Sequence, residues 1–319
     1  MPRIVVLDGY TLNPGDNPWD ELAALGELVV HDRTPRELVA VRGRGAAVLL
    51  TNKTVIDAEA LSALPDLKGV CVLATGINVV DADAARARGV VVCNVPSYST
   101  PSVVEQTFAL LFELTRAVGR HDRAVHEGEW VRSPDFSFVL SPQHELFGRR
   151  FGVIGYGDIG RGVARVAQAF GLKVYATPSR RYAAEPGVEF RSIEELTREC
   201  DVVSLHCPLT SETEGLVSRE FLARMKPSAF LLNTARGGLI HEHDLATALR
   251  EGAIAGAGLD VLSSEPPTAD NPLLAAPNCV ITPHVAWRSL ESRRRVVARS
   301  VENVRGVLSG RPTNVVNGG

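Results

Sequence analysis

Short apolar runs rich in β-branched residues alternate with stretches of helical spacing along the whole chain. Four of these runs lie at residues 4–7, 47–50, 70–73 and 90–92. Their continuous apolar character is typical of strands that are buried on both faces, as in parallel sheets. The alternation of such strands with helices predicts βαβ units, and therefore an α/β protein with helices on both sides of each sheet.

A long amphipathic stretch, residues 102–118, interrupts this alternation. Ser102 is a typical N-cap, and Pro101 predicts that the helix starts no earlier, because proline lacks the backbone N–H that a helix interior needs. A loop-rich segment with four aromatic residues follows at positions 127–148. A second series of strands and helices then begins at residue 149.

The length of 319 residues favours two domains. The second series ends near residue 283, and the last amphipathic stretch, residues 290–308, has room to pack back on the first series. We therefore predict two doubly wound parallel-sheet domains of Rossmann or flavodoxin type, one inserted in the other. Residues 1–98 and 288–319 would form a substrate-binding domain, and residues 99–287 a nucleotide-binding domain.

Charge and composition exclude several kinds of partner. The net charge of −3 offers no general attraction for nucleic acid or an anionic membrane, and the arginine run 293–295 predicts only the solvated face of a helix. No apolar run reaches the roughly 18 residues of a membrane span and no secretion signal is evident, so we expect a cytoplasmic protein. The five cysteines form no CxxC pair, which favours reduced, buried thiols. His241 and His243 have no evident third ligand, so no metal site is predicted.

A glycine-rich turn follows the first strand of the second series. Gly155, Gly157 and Gly160 form the pattern G-x-G-x-x-G. The first glycine would make a tight turn, the second would let the backbone approach a pyrophosphate, and the third would allow close packing of helix on strand. Asp158 and Ile159 would open the helix whose positive N-terminus faces the diphosphate. The pattern predicts a dinucleotide site, with a purely structural turn as the alternative.

The next strand, residues 172–176, should end beside the adenosine ribose of the cofactor. An NAD enzyme usually has an acidic residue there, but this strand is followed by Thr-Pro-Ser-Arg-Arg. Ser179 can hydrogen-bond a 2′-phosphate, and Arg180 and Arg181 can pair with its charge. We therefore predict that NADP(H) is favoured and NAD(H) possible; the alternative is that both arginines are merely solvated.

Three later strands each lead into a residue with useful chemistry. Arg236 lies in N-T-A-R-G-G, Glu265 in D-V-L-S-S-E-P-P and His284 in P-H-V-A-W, each segment following an apolar run. Ligands bind beyond the carboxyl ends of parallel strands, so these residues could converge over the cofactor. Singly, each also has a structural interpretation, such as an arginine that bonds nearby carbonyl groups.

Together with the glycine turn, these segments resemble the D-isomer-specific 2-hydroxyacid dehydrogenase family, in order and spacing over essentially the whole chain. The resemblance implies that Arg236 binds the carboxylate and carbonyl of the substrate, that Glu265 supports the catalytic His284, and that Asp260 holds the nicotinamide end of the cofactor. These roles are chemically reasonable, because an imidazolium beside a carboxylate can protonate the oxygen on which charge develops during ketone reduction.

The same resemblance extends to further site residues. The segment L-A-T-G-I-N is similar to the family loop whose backbone N–H groups hold the substrate carboxylate, which places Thr75 and Gly76 there. Pro208 would border the nicotinamide, and Trp287 would line the substrate pocket or fill an interdomain gap. For Thr75 and Gly76 the alternative is a turn that ends a strand.

Within the family, the segments at residues 7–15, 74–81, 94–100, 133–136 and 283–287 are most similar to glycerate dehydrogenases, also called hydroxypyruvate reductases. Hydroxypyruvate or glyoxylate is then the expected 2-oxo acid. A phosphoglycerate dehydrogenase-like enzyme and a non-catalytic, nucleotide-sensing corepressor stay open as alternatives. Family members pair through the region of the helix from Ser102 and the aromatic loop, so we expect a homodimer.

Overall fold

The computed structural model describes residues 1–318, which form two compact units. Unit 1 comprises Met1–Ser99 and the chain from Arg288 onward, and unit 2 comprises Thr100–Trp287. Each unit is built around one parallel β-sheet, and most of its strands are joined through helices. The predicted α/β fold with two doubly wound parallel sheets is therefore confirmed.

The described part of unit 1 contains a five-stranded sheet. Its strands are β1 (Arg3–Val6), β2 (Glu27–Val30), β3 (Val48–Thr51), β4 (Gly69–Val72) and β5 (Val91–Cys93). They pair in parallel in the order β2-β1-β3-β4-β5. Every residue of β3 and β4 is buried, because both faces of these central strands are covered.

Short helices connect these strands: α1 (Asp20–Ala23), α2 (Val39–Gly43), α3 (Ala58–Ser62) and α4 (Ala82–Ala87), with 3-10 helices at Gly9–Thr11 and Arg36–Leu38. Aspartate side chains start two of them. The carboxylate of Asp57 accepts from the backbone N–H of Ala60, and that of Asp81 accepts from Ala84, each at 2.9 Å. These bonds satisfy N–H groups that have no partner inside the helix.

Unit 2 has a seven-stranded sheet in its described residues. The strands are β6 (Arg150–Ile154), β7 (Lys173–Ala176), β8 (Val188–Phe190), β9 (Val202–Leu205), β10 (Phe230–Asn233), β11 (Gly256–Leu259) and β12 (Cys279–Ile281). They pair in parallel in the order β12-β11-β10-β9-β6-β7-β8. The order reverses between β6 and β9, and the carboxyl ends of all seven strands meet at one edge.

The helices of unit 2 are α5 (Thr100–Arg116), α6 (Val118–His126), α7 (Glu129–Arg132), α8 (Asp158–Ala169), α9 (Ile193–Glu199), α10 (Arg219–Arg224) and α11 (Glu242–Arg250), with 3-10 helices at Gly237–Leu239 and Pro272–Ala275. Helix α8 buries Val163, Ala164 and Ala167 in a core cluster with the side chains of β6 and β7. These apolar positions recur at helical spacing, and they determine which face of α8 packs on the sheet.

The start of helix α5 differs from the sequence prediction. The helix begins at Thr100, so Pro101 lies in its first turn, where the missing N–H needs no partner inside the helix. Ser102 is not the N-cap, because its hydroxyl donates to the carbonyl oxygen of Ala286 at 2.5 Å. The prediction that Pro101 prevents an earlier start was wrong.

The two strands β2 and β8 were not predicted from the apolar pattern. Both lie at the edge of their sheets, where one side of a strand has no neighbour. The strand β2 has an apolar run of only three residues, 28–30, and exposes Glu27 and Val30. In β8 the exposed Glu189 interrupts the apolar pattern. An edge strand half-covered by protein carries a weaker sequence signal than a central one.

The last helix, α12 (Leu290–Leu308), packs on strands β3 and β4 of unit 1. The prediction of a solvated arginine face was wrong for Arg293, which is buried. Its guanidinium donates to both carboxylate oxygens of Asp16 at 2.5 and 2.7 Å and to the carbonyl oxygen of Leu12 at 3.1 Å. The hydrogen bond from Arg293 lowers the pKa of Asp16. Arg294, the next residue, is exposed as predicted for this face.

Candidate active site

The glycine turn of unit 2 connects β6 to α8. Gly155 has a φ of +100°, and a Cβ there would lie 2.4 Å from the backbone nitrogen of Cys207. At Gly160 a Cβ would lie 2.2 Å from the carbonyl oxygen of Gly155. Only glycine fits these two positions, because the chain itself occupies the space that a side chain would need.

Gly157 differs from the other two glycines of the motif. It has an ordinary φ of −92°, and a Cβ built on it would meet no atom within 4 Å. The packing of the protein therefore does not require glycine here. Gly157 lies directly before α8, at the helix end that attracts anions, so the open space is available to a ligand. This open cradle fits a diphosphate, which a methyl group would displace. Asp158 and Ile159 form the first turn of α8.

The loop after β7 is closed by its own hydrogen bonds. The Oγ atom of Ser179 accepts from the backbone N–H groups of Arg181 and Tyr182, each at 3.2 Å. The side chains of Arg180 and Arg181 are exposed. The sequence-predicted trio of Ser179, Arg180 and Arg181 therefore lies together in one tight turn.

A carboxylate also reaches this turn, although none follows β7 in the sequence. Asp158 accepts a hydrogen bond of 2.5 Å from the hydroxyl of Tyr182, and its other oxygen lies 4.0 Å from the guanidinium of Arg181. The bond to Asp158 raises the pKa of Tyr182. Arg161 stacks on the Tyr182 ring, with its guanidinium carbon 4.1 Å from the ring centre. Tyr182 and Arg161 were missed from the sequence.

An ion-pair cluster lies beside this turn. The carboxylate of Glu185 accepts from Arg161 at 2.5 Å and from Arg165 at 2.6 Å. The hydrogen bonds from Arg165 and Arg161 lower the pKa of Glu185 to about 2. The four-residue spacing of these arginines, which places them on one face of α8, was the available sequence signal.

The loop that carries Arg236 is fixed by Asn233, the buried last residue of β10. The amide of Asn233 donates to the carbonyl oxygen of Arg236 at 2.9 Å and accepts from the N–H of Ala235 at 3.0 Å. The neighbouring Gly237 lies so close to the next loop that a Cβ would be 1.9 Å from the backbone of Leu262. The exposed side chain of Arg236 is thereby placed next to the segment that leads from β11 to Glu265.

Glu265 and His284 form a direct pair. The Oε2 atom of Glu265 lies 2.6 Å from Nδ1 of His284, and its Oε1 accepts from the backbone N–H of Leu262 at 3.1 Å. Both side chains are partly exposed. A carboxylate at Nδ1 favours the tautomer with the proton on that nitrogen. Nε2 is then the ring nitrogen that can exchange a proton with a ligand.

The backbone of His284 is held in the left-handed region, with a φ of +53°. Its N–H donates to the carbonyl oxygens of Asp260 at 2.8 Å and Thr282 at 3.0 Å. A non-glycine residue adopts this conformation at a cost that its surroundings must offset, which is common at functional sites.

Asp260 supplies much of that support. Its buried carboxylate accepts from the hydroxyl of Thr282 at 2.5 Å and from the backbone N–H groups of Val285 at 3.0 Å and Ala286 at 2.8 Å. Burial raises the pKa of Asp260, while these hydrogen bonds act in the opposite direction. Asp260 therefore fixes the segment on both sides of His284.

The remaining predicted residues are distributed over both units. Thr75 and Gly76 belong to unit 1, where the hydroxyl of Thr75 donates to the carbonyl oxygen of Val95 at 2.9 Å. Pro208 and Trp287 belong to unit 2. Pro208 is exposed after β9, and its carbonyl oxygen accepts from the hydroxyl of Thr213 at 2.7 Å.

His206, also at the end of β9, is unsuited to acid catalysis. Its Nε2 lies 2.8 Å from the hydroxyl of Ser204, and burial lowers the pKa of the imidazole to about 3. The ring is therefore neutral near pH 7, in contrast to a group that must deliver a proton.

Residues 1–318 contain neither a metal-binding cluster nor a helix that could span a membrane. In residues 1–318 no three His, Cys, Asp or Glu side chains are grouped so that they could hold a metal ion. Over the same residues, every helix is too short or too polar to cross a membrane.

Comparison with known proteins gives a consistent family assignment. The family model of the D-isomer specific 2-hydroxyacid dehydrogenase, NAD binding domain, matches residues 108–286. The chain is 48% identical over 320 residues to a hydroxypyruvate reductase of Blautia hydrogenotrophica, and the match covers 99% of each protein. It is 41% identical over 285 residues to a glycerate dehydrogenase of Methylorubrum extorquens, covering 89% of each.

A solved structure extends the comparison to three dimensions. The NADPH-dependent glyoxylate/hydroxypyruvate reductase from Sinorhizobium meliloti, in complex with NADP and malonate, matches with a TM-score of 0.84 and 31% identity. The match covers 99% of this chain and 96% of that one. The chain therefore belongs to the D-isomer specific 2-hydroxyacid dehydrogenase family, and the enzyme class predicted from its motifs is confirmed.

Proposed function

We propose that the protein reduces hydroxypyruvate or glyoxylate to the D-2-hydroxy acid, with Arg236, Glu265 and His284 as its catalytic residues. The observation that carries the proposal is the 2.6 Å contact between Glu265 and His284. The glycine turn would hold the diphosphate of a reduced nicotinamide cofactor, which would supply a hydride to the carbonyl carbon of the substrate. The names of the relatives from Blautia hydrogenotrophica and Methylorubrum extorquens support the choice of substrate.

His284 delivers the proton in this proposal. Negative charge develops on the carbonyl oxygen as hydride arrives, and Nε2 of the imidazolium donates to that oxygen. Glu265, at Nδ1, stabilises the imidazolium and orients the ring. Asp260 keeps His284 in its left-handed backbone conformation and so acts as a positioning residue. Contact of Asp260 with the nicotinamide end of the cofactor stays a prediction of the family resemblance.

Arg236 and the loop of Thr75 and Gly76 orient the substrate. A guanidinium offers a planar pair of N–H donors, which suits a carboxylate and the adjacent carbonyl oxygen. For Thr75 and Gly76 in unit 1, the family resemblance predicts that their backbone N–H groups bind the substrate carboxylate. Trp287 lines the substrate pocket in this proposal, and Pro208 borders the nicotinamide.

We also propose that NADP(H) is favoured over NAD(H). Arg180 and Arg181 are exposed in a turn that Ser179 closes, and they can pair with a 2′-phosphate. Asp158 would repel such a phosphate, but Tyr182 hydrogen-bonds this carboxylate and Arg181 lies within 4.0 Å of it. The related Sinorhizobium meliloti enzyme was solved with NADP, which supports the same preference.

A homodimer is part of the proposal. Val131 and Phe136 are 90% and 91% exposed, and Trp130, Val139 and Phe147 add to the same apolar segment. Large exposed apolar side chains in one short stretch of chain favour a protein partner. If the partner is a second copy of the chain, each copy covers the apolar segment of the other. The cytoplasmic location stays a prediction from the sequence.

Turnover tests the reaction. Purified protein with NADPH or NADH is mixed separately with hydroxypyruvate, glyoxylate, pyruvate or phosphohydroxypyruvate, and the loss of cofactor absorbance is followed. His284→Ala should lower kcat about 10²- to 10⁴-fold, the usual contribution of a general acid, and Glu265→Gln should lower it by a smaller factor. His243→Ala, an exposed histidine on α11, is the control. Cofactor binding without turnover of any acid would favour the sensor alternative. Rapid turnover of phosphohydroxypyruvate alone would favour the phosphoglycerate dehydrogenase alternative.

A pair of glycine variants tests the diphosphate site. Gly157→Ala should weaken NADPH binding about tenfold or more with Tm nearly unchanged, because the methyl group enters the open cradle and not the protein. Gly160→Ala should lower Tm, since its methyl group meets the carbonyl oxygen of Gly155. Calorimetric titration and thermal unfolding measure the two effects. Wild-type affinity in Gly157→Ala would contradict a diphosphate at this position.

The cofactor preference is tested with fragments of the cofactor. The double variant Arg180→Ala, Arg181→Ala should bind adenosine 2′,5′-bisphosphate about tenfold or more weakly, because charge-assisted hydrogen bonds to the 2′-phosphate are lost. Binding of adenosine 5′-monophosphate, which lacks that phosphate, should change little. Arg299→Ala, an exposed arginine of unit 1, is the control. An NADH preference in the unmodified protein would overturn the NADP(H) proposal and leave the reaction intact.

Light scattering after gel filtration tests the dimer. The protein should elute with twice the mass of one chain, and the double variant Val131→Asp, Phe136→Asp should shift it toward a single chain, because two buried carboxylates disfavour the interface. Val41→Asp, an exposed valine of unit 1, should leave the mass unchanged. A single-chain mass for the unmodified protein would rule out the proposal.

A further inference from the structure

The turn after β7 lies directly beside the glycine turn. The N–H of Gly155 donates to the hydroxyl of Thr177 at 2.9 Å, and the N–H of Thr177 donates to the carbonyl oxygen of Val153 at 2.9 Å. The diphosphate fits the glycine turn, and the adenosine ribose of a dinucleotide lies at the end of the following strand. A side chain that reaches from one of these turns to the other therefore lies close to the predicted ribose.

Asp158 and Tyr182 form such a bridge. Asp158 opens α8 after the glycine turn, and its Oδ1 accepts a hydrogen bond of 2.5 Å from the hydroxyl of Tyr182, in the turn after β7. Its Oδ2 lies 4.0 Å from the guanidinium of Arg181. A carboxylate close to the ribose is the group with which NAD enzymes bind the ribose hydroxyls. The chain thus holds such a carboxylate, but it comes from α8 and is engaged by a tyrosine.

The ring of Tyr182 is fixed independently of its hydroxyl. The guanidinium carbon of Arg161 lies 4.1 Å from the centre of the ring, a distance that favours a cation–π contact. Arg161 is itself held by Glu185, which accepts from its Nε at 3.0 Å and from its Nη2 at 2.5 Å. A phenylalanine at position 182 would keep this stacking and lose only the hydrogen bond to Asp158.

The hydroxyl of Tyr182 decides which other groups the carboxylate of Asp158 can bind. The bond raises the pKa of Tyr182, so the hydroxyl keeps its proton near pH 7 and remains a donor. Without it, two other donors compete for the carboxylate. One is the 2′-hydroxyl of an NAD(H) ribose, and the other is Arg181, which is exposed and can also pair with a 2′-phosphate. Either exchange would favour NAD(H) over NADP(H).

We propose that Tyr182 is a positioning residue that sets the cofactor preference by engaging the carboxylate of Asp158. The bond keeps Asp158 from the ribose and leaves Arg181 for the 2′-phosphate. The inference rests on the proposed function, because it assumes that a dinucleotide binds at the glycine turn with its 2′-phosphate at the turn after β7. It assigns part of the choice of cofactor to a hydroxyl group that need not touch the cofactor.

The variant Tyr182→Phe should bind adenosine 2′,5′-bisphosphate about tenfold more weakly and adenosine 5′-monophosphate equally or more tightly, because the released carboxylate favours a free ribose hydroxyl. Calorimetric titration gives both dissociation constants, and thermal unfolding shows that the fold is kept. Tyr175→Phe is the matched control, because Tyr175 is also partly buried in unit 2 and has an arginine, Arg191, over its ring.

A second variant tests whether Tyr182 acts through Asp158. In an Asp158→Asn background, Tyr182→Phe should change the ratio of the two dissociation constants less than about twofold, since no carboxylate is left to be released. An unchanged ratio in Tyr182→Phe alone, or a change of the same size in both backgrounds, would overturn the inference.

The two fragments also separate this inference from the proposed function. They contain no nicotinamide and need no turnover, so the result does not depend on which acid the enzyme reduces. Tighter binding of the monophosphate than of the bisphosphate by the unmodified protein would overturn the NADP(H) proposal. The inference concerns the change of the ratio when the hydroxyl is removed, and the Tyr182→Phe titrations decide it in either case.

Discussion

The arrangement of the candidate site depends on the buried carboxylate of Asp260. This group accepts from Thr282, Val285 and Ala286, so it holds the chain on both sides of His284. Without it, the left-handed backbone of His284 would relax, and the imidazole would leave the position 2.6 Å from Glu265. A charge that burial disfavours is thus retained because it organises a segment that no apolar residue could hold.

The same principle recurs at other strand ends of the molecule. Asp8 organises the loop after β3 in unit 1, and Asn233 organises the Arg236 loop in unit 2. In each case a short, buried polar side chain at a strand end satisfies backbone groups of an irregular loop, which would otherwise be costly to bury. The buried polar side chains hold the loops in place, and the chemically active side chains on these loops stay accessible.

Much of this could be predicted from the sequence, because the central strands and the motifs at their ends are local signals. Continuous apolar runs located most strands of both sheets. The rule that ligands bind at carboxyl ends predicted that Arg236, Glu265 and His284 could converge, and the contact between Glu265 and His284 agrees with that prediction. The edge strands β2 and β8 were not predicted because the apolar run of β2 is short and half-exposed and Glu189 interrupts that of β8. The start of α5 was misplaced because Pro101 fits a first turn as well as it blocks an interior.

Contacts between residues far apart in the chain could not be predicted in the same way. The pairing of Tyr182 with Asp158 joins residues 24 positions apart, and the pairing of Arg293 with Asp16 joins residues 277 positions apart. Only the folded chain brings these groups together. In the sequence, Arg293 stands in a run of arginines, which predicts a solvated helix face. It is buried because a loop at the other end of the chain, with Asp16, covers it.

The hydrogen bonds that Asp8 accepts from the backbone N–H groups of residues 52–54 have an evolutionary consequence. Because every residue except proline carries such a group, the conformation of the 52–54 loop does not depend on which side chain stands at position 53. An exposed position on a preset backbone can be exchanged at little cost in stability. Position 53 can therefore vary in evolution with little effect on the backbone of this loop.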